Sequence, residues 1–533
     1  MRIKLPDLQP KALLYAAGWA VLLAGPHQAA AQRPAEPVRP RIVVTADPEL
    51  DDSNSLLRFL LYSSDLTVEG LIYASSQFHW KGDGRGTKWF VPGREYDRFG
   101  MEACPCESWR WAEGERFIHD AVEAYAQVYP SLKVHNPRYP APEHLRSVIR
   151  YGNVEFDGDI SRDSPGSDLI RSLMLDDRPG PLYLTAWGGH STIARALKSV
   201  EEQYAGTLEW EAIRQKISRK VILLPSGDQD DTYAAYIRPH WPGIEYRQFR
   251  SGPNYGYGAQ IGAPAENAPY LTPAWMQAHV TSRGPLGALY RVWGDGRQMV
   301  KGDRLDYFGL AGRSSEELKQ MGYIVWMPVQ APGSWLGEGD NPTFMNMLGN
   351  GLRAYEAGSY GGWGGRTEAD APPANPFALP EGVTADSMAS LFGAPERSAA
   401  GRPYPNFFPQ AQRDFAARLL WSVSPRYADA NHEPAVQVAG PLEMLAWPGQ
   451  RVRLHGSASD PDGDAVSLRW WQFHTGTYHG QVEVRHASAP QAEVLIPQDA
   501  QPGQTVHLIL EASDDGSPAL TRYQRVVITV RGN

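Results

Sequence analysis

The sequence predicts an α/β domain on a mostly parallel sheet flanked by helices, followed by a small β-sandwich. Three observations carry this. From residue 41 to about 192, short β-branched apolar runs alternate with segments of helical period, the pattern of a parallel sheet covered on both faces. After Pro425 the period falls to two, in short strands separated by Asp/Gly turns, as in a sandwich of about 100 residues. At 533 residues the chain has room for two or three domains with ample core.

Residues 41–45 (Arg-Ile-Val-Val-Thr) form the first expected strand, and Leu56, Leu57, Phe59, Leu60 and Leu61 mark the helix after it. Residues 67–75 read as a second buried strand. Phe117, Ala121, Val122, Tyr125 and Val128 make a helical stripe over 117–128. A helix is expected over 169–175, a third strand over 181–186, a helix over 191–202, a fourth strand over 220–225 and a later strand over 324–329. Residues 361–410, rich in Gly, Pro and Ala, read as a long irregular excursion, and 407–423 as a helix. In the sandwich, Val452/Leu454, Val466/Leu468/Trp470 and Val506/Leu508/Leu510 alternate with polar partners. No fixed-period repeat is evident.

Residues 1–31 read as a secretory signal peptide. Lys4 and Lys11 supply positive charge, 12–25 are mostly small and apolar, and Ala29-Ala30-Ala31 fits a cleavage site before Gln32. The apolar run falls short of the roughly 20 residues a spanning helix needs. A secreted or periplasmic protein without membrane insertion is therefore expected. Residues 32–40 read as a linker, 41–424 as the α/β domain and 425–533 as the sandwich. The net charge of −9 and the lack of a basic run argue against nucleic-acid binding. The 17 Trp and 25 Tyr suit either sugar stacking or a core. An oxidising compartment permits a bridge between Cys104 and Cys106, but across Pro105 it needs unusual geometry. Two thiols without Cys/His partners do not make a structural zinc site, and these cysteines are assigned no role.

Asp47-Pro48-Glu49-Leu50-Asp51-Asp52 places four carboxylates on the turn after the first strand, where open α/β sheets put ligand sites. Carboxylates so close either hold a proton or share a hard cation, and a convergent Asp47/Asp52 pair with carbonyls suits Ca²⁺. Helix capping and the helix dipole account for one or two of these acids, but less readily for all four. Trp187-Gly188-Gly189-His190-Ser191-Thr192 follows the third strand; its glycines let backbone approach a ligand, or make a tight turn capped by Ser191 or Thr192. Ser226-Gly227-Asp228-Gln229-Asp230-Asp231 could line the pocket or cap the next helix. Gly337 to Thr343, after the strand expected near Val325, carries Asp340 between glycine and Asn-Pro at that strand's carboxyl end. In the sandwich, Asp460-Pro461-Asp462-Gly463-Asp464 is of a type that sometimes binds Ca²⁺, although a hydrogen-bonded Asp/Gly turn is the preferred reading. Trp470 and Trp471 face opposite ways on a strand, so only one can be a sugar platform.

Thr45-Ala46-Asp47-Pro48-Glu49-Leu50-Asp51-Asp52 resembles the Asp-Thr-Asp-Pro-Gly-x-Asp-Asp signature of nucleoside hydrolases, Gly188 to Leu197 their Gly-Pro-Leu-Thr-Asn-Ile-Ala segment, and Asp340-Asn341-Pro342 their late His-Asp-Pro. Ser76-Gln77-Phe78-His79-Trp80, Ala186-Trp187-Gly188-Gly189 and Gly362-Trp363-Gly364-Gly365 are similar to motifs of secreted bacterial cellulose-binding proteins. These pair a nucleoside-hydrolase-like domain with an immunoglobulin-like carboxyl-terminal domain. The resemblance implies Ca²⁺ held by Asp47, Asp52, the Ser191 carbonyl and Asp340, with Asp47 also the base toward a water. It implies that Asp51 orients sugar hydroxyls; His79, Trp187, Gln229 and Asn346 are the other candidate substrate-binding residues. Three departures stand out: Thr45 for the first Asp, Glu49 for the turn glycine, and Gly339 for the His that helps the leaving base.

The expected function is a secreted, Ca²⁺-dependent, glycosidase-like hydrolase of a glycan or glycoside. The alternative is a non-catalytic carbohydrate (cellulose)-binding protein on the same fold. Nucleoside N-ribohydrolysis is weakened by the missing His and by export. A haloacid-dehalogenase-type phosphatase would need Asp-x-Asp-x-Thr/Val, which is absent. Oligomeric state is left open, homo-oligomers included.

Overall fold

In a computed structural model of the chain, residues 39–249, 252–310, 312–367, 379, 382–392 and 404–532 are described. The expected signal peptide, most of the linker and much of the 361–410 excursion lie outside the described residues.

Strands β1 (Arg41–Ala46), β2 (Thr67–Tyr73), β3 (Ile149–Tyr151), β4 (Leu182–Ala186), β5 (Val221–Pro225) and β6 (Glu245–Tyr246) form one sheet. Their order is β3-β2-β1-β4-β5-β6 and every pairing is parallel. β1 is central and buried at each of its six residues. Successive side chains of a strand face opposite sides. Ile42 and Val44 accordingly join Leu56, Phe59 and Leu60 of the Leu50–Tyr62 helix and Val122 and Tyr125 of the Phe117–His135 helix. Val43 joins Leu184, Leu223, Ile170, Ile193 and Leu197 on the other face. The chain reverses its lateral direction between β1 and β4, so the crevice beyond their carboxyl ends is the topological switch point.

The expected strand over 324–329 is not one. Its backbone is non-repetitive, because its partners are a carbonyl and a hydroxyl rather than a ladder: the Ile324 amide donates to the Arg304 carbonyl (2.8 Å) and the Met327 amide to the Tyr307 hydroxyl (2.6 Å). Its apolar residues pack with Tyr257, Phe308 and Leu336, and the two-residue β6 takes the sheet edge. The helix expected over 169–175 spans Pro165–Leu175 because Ser164 caps it through the Ser167 amide. The Phe117–His135 helix continues through Pro130 beyond the expected 128. Cys104 and Cys106 are joined by a disulfide. No helix among the described residues is long and apolar enough to cross a membrane.

The carboxyl-terminal region is a β-sandwich. β7 (Ala435–Val438), β9 (Arg451–Ser459), β11 (Glu483–Arg485) and β12 (Gln491–Leu495) form one sheet. β8 (Glu443–Ala446), β10 (Ser467–Phe473), β13 (Thr505–Ser513) and β14 (Thr521–Val530) form the other, antiparallel except for β8 beside β14. Trp470 enters the core between the sheets, whereas Trp471 turns outward onto Phe407 and Phe473. The two regions share backbone bonds: the Tyr523 amide donates to the Asn350 carbonyl (2.9 Å) and the Arg525 amide to that of Gly351 (3.1 Å). The buried Arg525 guanidinium donates to the carbonyls of Leu352 (2.6 Å), Tyr360 (3.0 Å) and Gly361 (2.9 Å).

Candidate active site

The acidic turn lies at the switch point. Asp47, which leaves β1, is fully buried. Its Oδ2 accepts from Ser76 Oγ at 2.5 Å after β2, its amide donates to Asp52 Oδ1 at 3.1 Å, and its Oδ1 has no hydrogen-bond partner. Asp51 and Asp52 open the Leu50–Tyr62 helix. Asp340 reaches them from a distant part of the chain. It precedes the short Asn341–Met345 helix rather than following a strand. Asp340 packs against Asp52; its Oδ1 accepts from Ser226 Oγ at 2.6 Å after β5, and its Oδ2 has no partner. The Gly339 amide donates to Asp51 Oδ2 at 3.1 Å.

Glycine is required at two of these approaches. A Cβ on Gly188 would sit 2.9 Å from the Asp47 carboxyl, and one on Gly339 would collide with Asp51 Oδ2. The Asp51 carboxyl accordingly lies close over the Gly339 backbone.

The electrostatics lack a cation. Burial pushes Asp47 up to about 7, with the Ser76 hydrogen bond opposing and the Asp51 charge adding to the shift. Burial raises Asp51 to about 6, against a hydrogen bond from Tyr257. Burial holds Glu49, Asp52 and Asp340 well above the carboxylate range; the charges of Asp51 and Asp47 add to this at all three, and those of Asp340 and Glu49 at Asp52. Among the described residues, no lysine or arginine is ion-paired with Asp47, Asp51, Asp52 or Asp340; Arg110, which acts on Glu49, is committed to Glu95 (2.9 Å) and Asp303 (2.6 Å). Ligand oxygens of Glu49, Asp51 and Asp52 lie within 4.8 Å of one another, and a His79 ring nitrogen lies equally close to Asp47 and Glu49. A donor set of carboxylates with unpartnered buried oxygens fits a hard divalent ion.

A cavity of about 380 Å³ opens above the acids. Glu49, Asp51, Asp52, Asp340, Ser226, Trp187 and Gln229 line its floor. Phe78, Phe99, Tyr257, Phe308 and Trp326 supply aromatic walls, Arg98 and Arg110 the positive charge, and Leu379, Met388 and Leu391 a further apolar side. Trp187 is buried, with Nε1 donating to Thr343 Oγ1 (2.8 Å) and its carbonyl accepting from Gln229 Nε2 (2.5 Å); Gln229 Oε1 is left unpartnered. His79 Nδ1 bonds the Arg110 carbonyl (2.9 Å), leaving Nε2 unpartnered, and burial lowers its pKa well below the ordinary value, so the ring is neutral.

Ser191 opens the Ser191–Tyr204 helix behind the Gly188–Gly189 turn, and its amide donates to Asp230 Oδ2 (2.8 Å). Asn346 is not among the residues lining the cavity. It clamps the Gly362–Gly365 turn, with Nδ2 donating to the Gly365 carbonyl (2.7 Å) and Oδ1 accepting from the Gly364 amide (2.9 Å). Sequence reasoning did not single out Tyr257, Phe308, Arg98, Arg110 and Glu95, which come from loops without a motif. Ser76 lay inside a quoted motif, but nothing local showed that it would hold Asp47.

The order 3-2-1-4-5-6 with an acidic turn at the switch point defines a doubly wound α/β protein with its ligand site at the carboxyl ends of the central strands. The chain belongs to the family of cellulose-binding Sde182 proteins. The nucleoside hydrolase-like domain of that family matches residues 41–367, and the carboxyl-terminal domain of the cellulose-binding protein Sde0182 matches residues 451–530. Among solved structures, a nucleoside hydrolase-related hypothetical protein from Saccharophagus degradans, described as associated with carbohydrate metabolism, is similar at 25% identity. That match covers 93% of this chain and 100% of the other, with a TM-score of 0.65. A chimeric titin Z1Z2 matches 19% of this chain and 99% of its own at 17% identity, and its TM-score of 0.13 carries no structural argument. No curated protein matches the chain.

Proposed function

We propose that this chain is an exported, Ca²⁺-dependent hydrolase of glycosyl bonds that acts on a glycan or glycoside, its catalytic domain passing into the sandwich at residues 424/425. The observation that supports it best is the meeting of Asp47, Asp52 and Asp340, two of which, Asp47 and Asp340, keep an unpartnered buried oxygen, beside a cavity walled by aromatic rings. Asp47, Asp52 and Asp340 would hold the ion, with the Ser191 carbonyl assigned by family resemblance. When bound, Ca²⁺ acidifies a water weakly and anchors sugar hydroxyls. Asp47 takes the proton, since its Oδ1 is free while Ser76 fixes Oδ2. Asp51, oriented by the Gly339 amide, and Gln229, through its free Oε1, bind hydroxyls. The aromatic walls stack on sugar faces and exclude water. The family's description and the signal-like amino terminus support a carbohydrate ligand and a secreted or periplasmic location.

Gly339 favours a second reading. Glycine offers no side chain there to protonate a leaving group, so the same site could bind sugar without cleaving it. A panel of aryl glycosides and oligosaccharides, assayed with and without chelator, separates the two. The hydrolase reading expects turnover that chelator abolishes and that Asp47→Ala lowers by about 10²–10⁴-fold. Sugar binding with no turnover on any substrate leaves the binder.

A further inference from the structure

A second oxygen-rich site lies where two turns of the sandwich meet the chain entering it. Oxygens of Asp460, Asp462 and Asp464, on the β9–β10 turn, lie within 4.8 Å of one another. The β13–β14 turn is tied to it, since the Ala465 amide donates to Asp515 Oδ1 at 2.9 Å. Asp514, on that second turn, is 5% exposed and feels the Asp460 charge. Its Oδ1 accepts from Asn431 Nδ2 (3.0 Å), the Gly516 amide (3.0 Å) and the Leu520 amide (2.9 Å), whereas its Oδ2 has no partner. Asp460 repeats the pattern: Oδ1 accepts from the amides of Asp462 (2.8 Å) and Asp464 (3.2 Å), and Oδ2 is buried without a partner.

Asn431, on the entering chain, adds a third orphan. Its Nδ2 donates to Asp514 Oδ1 and to the Pro518 carbonyl (2.9 Å), which fixes the amide orientation. Its Oδ1 is buried and unpartnered. Among the described residues no lysine or arginine is ion-paired with Asp460, Asp464 or Asp514. The one basic partner, His432, is bound to Asp462 (3.0 Å) and to His135 (2.9 Å). Three buried oxygens on three separate segments, with nothing donating to them, are costly unless an ion takes them up. A hydrogen-bonded Asp/Gly turn explains the inner oxygens of Asp460 and Asp514 but not the outer ones.

We propose that Asp460, Asp514 and Asn431, completed by Asp464, bind a Ca²⁺ ion that fastens the entering chain to the sandwich. The donors are all oxygen and come from turns, which favours Ca²⁺ over zinc or magnesium. The site is independent of the one at Asp47.

The test is Ca²⁺ titration calorimetry on the full chain, stripped with chelator beforehand. Asp460→Asn/Asp514→Asn is expected to lower the stoichiometry by one ion per chain, and Asp340→Asn to leave that ion in place. The single variant Asp514→Asn, which keeps the side-chain shape, guards against unfolding and is expected to weaken the same ion at least tenfold while near-ultraviolet dichroism stays native. Unchanged stoichiometry and affinity in both the double and single variants overturn the proposal, whatever happens at Asp340.

Discussion

Ser76, through one hydroxyl, leaves Asp47 with one bonded and one free oxygen. Asp47 and Asp51 are raised to about 7 and about 6, so without an ion the folded state binds more protons than the unfolded chain between about pH 4 and 7. That contribution to stability is complete below the unfolded value and is lost as the pH rises through the folded one. The chelated protein is therefore expected to melt at a lower temperature at pH 8 than at pH 5, and Ca²⁺ to raise the midpoint more at pH 8. Scanning calorimetry at the two pH values checks this, and equal Ca²⁺ increments would count against the carboxylates as ligands. Asp47, Asp51 and Asp52 could be read from the sequence because they follow a β-branched run within one turn. Asp340 was found through its Asn-Pro neighbours, yet its place at the start of a helix was not legible. Asn346 sits in the same short stretch, and only tertiary structure shows its amide spent on the Gly362–Gly365 turn.

The strands that announced themselves are the long ones. β1, β2, β4 and β5 carry five to seven residues of largely apolar sequence, whereas β3 and β6, of three and two residues, are too short to show a period. Residues 324–329 have strand composition but no partner strand among the described residues, so packing against Tyr257 and Phe308 overrides propensity. The same kind of long-range packing sets the turn before the Asn341–Met345 helix, where Asp51 leaves no room for a side chain at Gly339. Gly339→Ala is expected to destabilise the protein by about 1–3 kcal/mol and to weaken Ca²⁺ at the Asp47 site. Urea unfolding and the calorimetric titration measure both, and an unaltered urea midpoint would show that Asp51 can move aside without cost.

Arg525 joins the two regions of the molecule. It is buried beneath the rings of Tyr360 and Phe473, 4.9 and 5.0 Å from their centroids, and holds three carbonyls of the first domain. Arg525→Met strands those carbonyls at about 1–3 kcal/mol each before water or repacking relieves them. The chain is expected to lose at least about 2 kcal/mol and to unfold in two resolved calorimetric steps instead of one; a single step at the original temperature would show that the junction does not depend on this residue. Nothing in the local sequence announces such an arginine, since Arg525 stands between Gln524 and Val526 in a strand buried along most of its length. The cavity above the acids has a consequence for what can enter it. With about 380 Å³ of room, it has the size of a small-molecule pocket. On the proposed function, a saccharide terminus or a freed fragment fills such a volume, and a length of fibre does not. Cello-oligosaccharides of growing length should then compete for it with nearly equal affinity, and a steady gain with each added glucose would mean that the rim extends the grip outward.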